Sequence, residues 1–280
     1  MAIHIISDGG ADLPEQLRAD WNIKIVPLGV QIGNDTFTSE MEKRDFYKKM
    51  KESAELPKTS SPSPHAFMEA YRSVPPGESM IVLSLSSGLS STFDHAVLAR
   101  ELFLAENPNA GPIEVLDSRT ASSGLGMLAY RAAKLVKEGL PHSDIVQFLK
   151  HTIEETKTYF TLDTLENVIK GGRLDRVRGA VASILNIKLV MRASPEGTIQ
   201  VFEKVRGTQN AVKRIVDMID EVKDSVEKRV LAIAHSNCED RAKELLQTIL
   251  GKYAFQEAVI SEMGPVIGTY AGEGGLVISY

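Results

Sequence analysis
Short apolar runs alternate with helix-period segments through the first half of the chain, and no other feature narrows its possible folds as much. Residues 3–7, 23–31, 80–85 and 113–116 have the length and apolar content of buried strands. Residues 92–105 and 125–138 instead carry apolar side chains near the 3.6-residue period of a helix, and residues 14–20, 45–51 and 64–73 read as further helices. Strand–helix–strand order with connections of this length predicts a parallel sheet covered by helices on both faces.

The second half departs from that pattern. A helix is expected over 142–156, a strand over 159–162 and a helix over 163–170. Residues 187–191 and 198–204 read as two strands joined by Ser194-Pro195-Glu196-Gly197, a favourable turn sequence. A helix over 209–222, a strand over 229–234, a helix over 239–250 and strands near 256–261 and 275–280 complete the chain. A hairpin among helices predicts a mixed sheet. The expected fold class is therefore α/β, with an N-terminal parallel-sheet α/β domain over residues 1–157 and a C-terminal α+β domain with a mixed sheet over 158–280. A length of 280 residues suits two such cores.

Composition limits the partners. A net charge of −5 provides no global basic field, so a nucleic-acid partner is not expected. The single cysteine, Cys238, has no second cysteine in the chain to pair with, which suits a reducing compartment. The start, Met1-Ala2-Ile3-His4-Ile5-Ile6-Ser7-Asp8, reaches an acid after a few apolar residues and does not read as a signal peptide. No run approaches the roughly 18 apolar residues of a membrane span. The expectation is a cytoplasmic protein without stable membrane insertion.

Serine and threonine collect in three turns: Thr59-Ser60-Ser61-Pro62-Ser63-Pro64, Ser84-Leu85-Ser86-Ser87-Gly88-Leu89-Ser90-Ser91-Thr92, and Asp117-Ser118-Arg119-Thr120-Ala121-Ser122-Ser123-Gly124. The last two each follow a strand and enter a helix, so they gather at the carboxyl ends of parallel strands, where α/β proteins bind ligands. Hydroxyls and free N–H groups at helix starts suit an anion. For any one turn taken alone, helix capping is the simpler reading; it is the three together that point to a ligand site. No Gly-x-x-x-x-Gly-Lys run accompanies them, so a nucleoside triphosphate is poorly served. Lys170-Gly171-Gly172-Arg173-Leu174 offers close backbone approach and a guanidinium, or simply a glycine-closed helix end. Gly264-Pro265-Val266-Ile267-Gly268-Thr269-Tyr270-Ala271-Gly272-Glu273-Gly274-Gly275 implies strained or closely approached backbone, or turns alone.

Catalytic patterns are incomplete. The histidines, at 4, 65, 95, 142, 151 and 235, form no metal-ligand spacing, and no metal is expected. Asp94 and His95 are helix neighbours that point apart; His235-Ser236-Asn237-Cys238 follows a strand and could bring a thiol near an imidazole, but the reading preferred for Cys238 is a small buried hydrophobe.

At these motifs the chain resembles the DegV family along essentially its whole length. Ser7-Asp8-Gly9-Gly10-Ala11-Asp12-Leu13-Pro14 is similar to the family's first-strand motif, Thr59-Ser60-Ser61-Pro62-Ser63 to its Thr-Ser-Gln-Pro-Ser turn, and Leu89-Ser90-Ser91-Thr92-Phe93 to its Leu-Ser-Gly-Thr-Tyr turn. Residues 165–174, Leu185-Asn186-Ile187-Lys188, Lys204-Val205-Arg206-Gly207 and Gly264-Pro265-Val266-Ile267-Gly268-Thr269 follow the later signatures in order. The resemblance implies a DegV-like fold clasping a long-chain fatty acid between its domains. It implies a non-catalytic carrier that presents the acid to a separate ATP-dependent fatty acid kinase, with no cofactor beyond the lipid. It implies a carboxylate site at Thr59 or Ser60 and at Ser90 or Thr92, with Arg173 near the same pocket. Tyr270 stands where the family motif has histidine, and tyrosine donates a hydrogen bond without becoming cationic. The alternative is an enzyme on a small phosphate or ester substrate, using Arg173 and a serine–histidine pair.

Overall fold
The computed structural model describes residues 2–174 and 186–280. Leu185, which opens one of the signatures above, lies outside the described residues. Strands β1 (Ile3–Asp8), β2 (Lys24–Val26), β6 (Ser79–Ser84) and β7 (Ile113–Asp117) form a parallel sheet in the order β2-β1-β6-β7. Helix α1 (Glu15–Asp20) connects β1 to β2, and α4 (Thr92–Glu106) connects β6 to β7. One face of this sheet is covered by α3 (Pro64–Arg72) and α4 around Phe67, Tyr71, Ala96, Ala99 and Phe103. Alternating strands and helices thus produce the parallel sheet that the apolar runs predict.

The second sheet has six strands: β8 (Thr158–Thr161), β9 (Ile187–Ala193), β10 (Ile199–Arg206), β11 (Val230–His235), β12 (Glu257–Glu262) and β13 (Leu276–Ser279). Their order is β10-β9-β8-β13-β11-β12, antiparallel except for the parallel pair β11–β12. The β9–β10 hairpin turns at 194–197, where Gly197 takes φ +77° and its N–H donates to Ser194 O at 2.9 Å. Helices α8 (Thr208–Met218) and α9 (Glu239–Leu250) pack with the sheet around Ile215, Leu231, Ile233 and Leu245.

Helix α5 (Ser123–Lys137) lies between the two sheets and touches β1 and β6 of one and β11 and β13 of the other. It is buried from Ser123 to Tyr130, which explains its run of small and apolar residues. At Gly126 an added Cβ would come within 2.9 Å of Asp12 O, so only glycine lets the N-terminal loop pack this closely. Helix α6 (His142–Glu155) follows and packs on α5.

Three local expectations change. The single strand read over 23–31 is two: β2 ends at Val26, and β3 (Gly29–Ile32) leaves for a separate antiparallel sheet of order β4-β3-β5 with β4 (Asp35–Thr38) and β5 (Lys58–Ser60). Pro27 falls at the break, where it has no N–H to continue a ladder. The helix read over 209–222 is α8 to Met218, followed by a 3-10 segment, Ile219–Lys228. The glycine-rich 264–275 segment contains a helix, α10 (Pro265–Ala271), begun by Pro265 in its first turn and ended by Gly272 at φ +63°. Two helices complete the set: α2 (Lys43–Glu52) and α7 (Glu166–Lys170).

Candidate functional site
Buried carboxylates of the N-terminal loop hold the turns in place. Asp8, at the end of β1, accepts hydrogen bonds from Gly10 N at 2.8 Å, Leu85 N at 2.8 Å and Ser84 Oγ at 2.9 Å, so the exits of β1 and β6 are tied together. Asp12 accepts from Ser122 Oγ at 2.7 Å and from Gly264 N at 2.7 Å, which joins the start of α5 to the start of α10. Burial pushes both carboxyls up to about 6, against the opposing pull of these hydrogen bonds.

Much of the hydroxyl density in the turns is spent on structure. Ser63 Oγ caps α3 by accepting from Ala66 N at 3.2 Å. Ser86 Oγ donates to Gly197 O at 2.7 Å, which joins the β6 exit to the hairpin of the second sheet. Capping accounts for the first turn, through Ser63; the N-cap residues of α4 and α5, Ser91 and Ser122, make no side-chain cap.

Several of the other hydroxyls line a cavity of about 290 Å³ between the sheets. Thr59, Ser60, Ser90, Arg173 and Tyr270 all line it, together with Ser61 and Ser91. The β3–β5 ladder sets Thr59 opposite Val30 and Ser60 opposite Gly29; a Cβ at Gly29 would lie 2.4 Å from Ser60 Oγ. Thr59 Oγ1 is 2.6 Å from Tyr270 Oη, and Ser61 Oγ is 2.7 Å from Ser91 Oγ. The Arg173 guanidinium sits over the Tyr270 ring, 4.7 Å from its centroid, while its Nε donates to Leu89 O at 3.3 Å and its Nη1 to Gly171 O at 2.7 Å. Gly171 allows this: a Cβ there would be 2.6 Å from the Tyr270 ring. Thr92 is placed differently from the other candidates. It is fully buried and does not line the cavity, and its Oγ1 lies 2.8 Å behind Ser90 Oγ.

Away from this cluster much of the wall is apolar, with Leu85 after β6, Phe160, Leu162, Ile199 and Val277 from the second sheet and its loops, and Val168 and Ile267 from α7 and α10. Among the described lining residues Arg173 is the one cation, and none is a carboxylate or a histidine. His95 Nδ1 pairs with Pro62 O at 2.7 Å. His235, lowered from its ordinary value by burial, accepts from Cys238 N at 3.3 Å, and the Cys238 thiol is pushed up by burial. The serine–histidine pair of the enzymatic alternative is thus not assembled at Arg173. Among the described residues no group of His, Cys, Asp and Glu is arranged to hold a metal, and no helix is long and apolar enough to cross a membrane.

Thr120, Ser122 and Thr158 also line the cavity, at its buried side. Thr120 and Ser122 belong to a turn that the sequence marks. Thr158 is one threonine at the start of an ordinary strand, and no local pattern distinguishes it.

The family model of DegV matches residues 2–280. This chain belongs to the DegV family. A DegV domain-containing protein of Clostridium perfringens is 31% identical over 281 residues, covering 99% of this chain and 96% of the relative. A DegV-family crystal structure from Ruminococcus gnavus, refined with vaccenic acid, superposes with a TM-score of 0.92 at 32% identity over 100% of both chains. The Streptococcus pneumoniae fatty acid kinase B3 protein, loaded with linoleic acid, superposes at 0.88 with 26% identity, covering 100% of this chain and 99% of that one. The pairing of a parallel and a mixed sheet is the DegV architecture, and DegV-family structures hold fatty acids.

Proposed function
We propose that this chain is a carrier that binds one long-chain fatty acid in the cavity between its sheets. The observation that carries the reading is Arg173, the one cation among the described lining residues, set beside a hydroxyl cluster in a largely apolar cavity where no described lining residue is a carboxylate. Such a site suits an amphiphile with an anionic head. In this reading Thr59, Ser60 and Ser90 hold the carboxylate, Arg173 neutralises it, and Tyr270 braces both Thr59 and Arg173. Thr92 serves indirectly, through its bond to Ser90.

Energetics support the division of labour. Each buried methylene contributes about 0.8 kcal/mol, so a sixteen-carbon tail supplies on the order of 10 kcal/mol. Each hydroxyl bond to the charged head adds about 1.5–3 kcal/mol. The tail sets affinity and the hydroxyls set orientation. Among the described lining residues none is a base that would activate a serine, which favours a carrier over an enzyme. Ser60 and Ser91 are exposed, so the head would lie at the cavity mouth, where a separate ATP-dependent kinase in the cytoplasm would reach it. We place the domain boundary near residue 157, between α6, which packs on α5, and β8, which enters the second sheet.

Mass spectrometry of the purified protein tests this, first native and then after denaturing extraction. A stoichiometric fatty acid released only on denaturation is the expected result. A clean unliganded mass after incubation with C14–C20 acids would overturn the proposal.

A further inference from the structure
The cavity is not apolar at both ends of β8. Thr158 and Phe160 of this strand and Leu162 just after it line the cavity in succession, and the four extended steps from 158 to 162 span about 13 Å. From Leu162 the chain runs on to α7 and Arg173, beside the half-exposed Tyr270. At the Thr158 end the wall is buried and built of hydroxyls. Thr120 Oγ1 is 2.9 Å from Thr158 Oγ1, Thr158 Oγ1 is 3.0 Å from Ser279 Oγ, and Ser279 Oγ is 3.0 Å from Ser123 Oγ. These four residues come from the loop after β7, from β8, from β13 and from the first turn of α5, and each is at most 6% exposed.

Two properties of this wall bear on what can end against it. A file of hydroxyls can run in either direction, because each oxygen donates once and accepts twice. In one sense Ser123 ends the file by donating to Val277 O, 3.5 Å away, and Thr120 keeps free acceptor capacity; in the other, Thr120 Oγ1 donates onward, toward Ala121 O at 3.4 Å or to a cavity occupant. The wall therefore offers a donor or an acceptor at the cavity face without leaving a buried polar group unpaired. Behind it lies a second, more polar crevice of about 300 Å³, which shares Thr120, Thr158 and Ala193 with the cavity and opens toward Arg119, Lys157 and Arg192. A single hydroxyl pair thus stands between an apolar tail channel and polar space.

We propose that the Thr120–Thr158 wall adapts this carrier to long-chain acids bearing a hydroxyl at or near the tail end, with the head at Arg173 and the tail hydroxyl bonded to the Thr120–Thr158–Ser279–Ser123 file. This deepens the carrier reading and rests on it. A purely apolar end wall would reject such a ligand, because its hydroxyl would be buried unpaired. Here the hydroxyl replaces its water partners with threonine.

The test is competitive loading of the delipidated full chain with hexadecanoic and 16-hydroxyhexadecanoic acid, read by native mass spectrometry. The wild-type protein is expected to hold the two acids within about threefold of each other. Thr158→Val keeps the shape and the strand preference but cuts the file, and Thr120→Val removes its end from a loop without touching β8. Either variant is expected to shift the ratio at least tenfold toward hexadecanoic acid. A wild-type preference above tenfold for hexadecanoic acid, or a ratio unmoved by both variants, would overturn the proposal. Retention of neither acid by the wild type would instead overturn the carrier reading, and this inference with it.

Discussion
Tyr270 Oη lies 2.6 Å from Thr59 Oγ1, and the ring of the same tyrosine lies under the Arg173 guanidinium, 4.7 Å from its centroid. One side chain therefore positions both a hydroxyl and the cavity's cation. Among the described lining residues Arg173 is the one cation.

Tyr270→Phe separates the two contacts. The ring stays under Arg173, while the bond to Thr59 is lost, at a net cost of about 0.5–1.5 kcal/mol. Fatty acid dissociation should quicken by roughly two- to tenfold. Tyr270→Ala loses the ring as well and should quicken it further. Equal dissociation rates for the wild type and both variants, followed by stopped-flow displacement, would show that Tyr270 does not brace the head.

Arg173→Lys tests whether the cation acts as a charge or as a plane. Lysine keeps the charge but not the planar fork that reaches Leu89 O and Gly171 O while stacking on Tyr270. Binding of a long-chain acid should weaken by about 1.5–3 kcal/mol in Arg173→Ala, with only partial recovery in Arg173→Lys. Binding of the corresponding fatty alcohol should change little in either. Calorimetry with the acid and the alcohol side by side checks this; parallel losses for both ligands would mean that Arg173 supports the fold and not the head.

The buried carboxylates predict the pH dependence of stability. Burial raises Asp8 and Asp12 from the ordinary aspartate value to about 6 in the folded protein. The folded state therefore binds protons more tightly than the unfolded chain, so each group's contribution is fully present below about pH 4 and is lost as pH rises through about 6. The upper bound is about 3 kcal/mol per group. Asp12→Asn retains the amide oxygen for Gly264 N, lets Ser122 accept in place of donating, and cannot titrate. The Tm difference between wild type and Asp12→Asn should therefore change between pH 4 and 7, in favour of the wild type at the acid end. A difference that is flat across that interval would place the Asp12 titration elsewhere.

Strands, helices and the family itself were legible from the chain alone, because apolar period, turn residues and short motifs are properties of neighbouring residues. The runs at 80–85 and 113–116 become β6 and β7, and the hydroxyl-rich turns after them do reach a cavity. The break between β2 and β3 carries a local mark too, since Pro27 has no N–H to continue a ladder through the apolar run. Other features had no local signature. Thr92 shares a turn with Ser90, yet the first turn of α4 buries it while Ser90 lines the cavity. Thr158 and Ser279 look like any strand residues until β8 and β13 pair and α5 brings Ser123 against them. Arg173 meets Tyr270 only because α7 and α10 pack together with glycine at 171 between them. Secondary structure follows from periodicity over a few residues, whereas a binding site is made of side chains distant in sequence whose meeting is decided by how the sheets and helices pack.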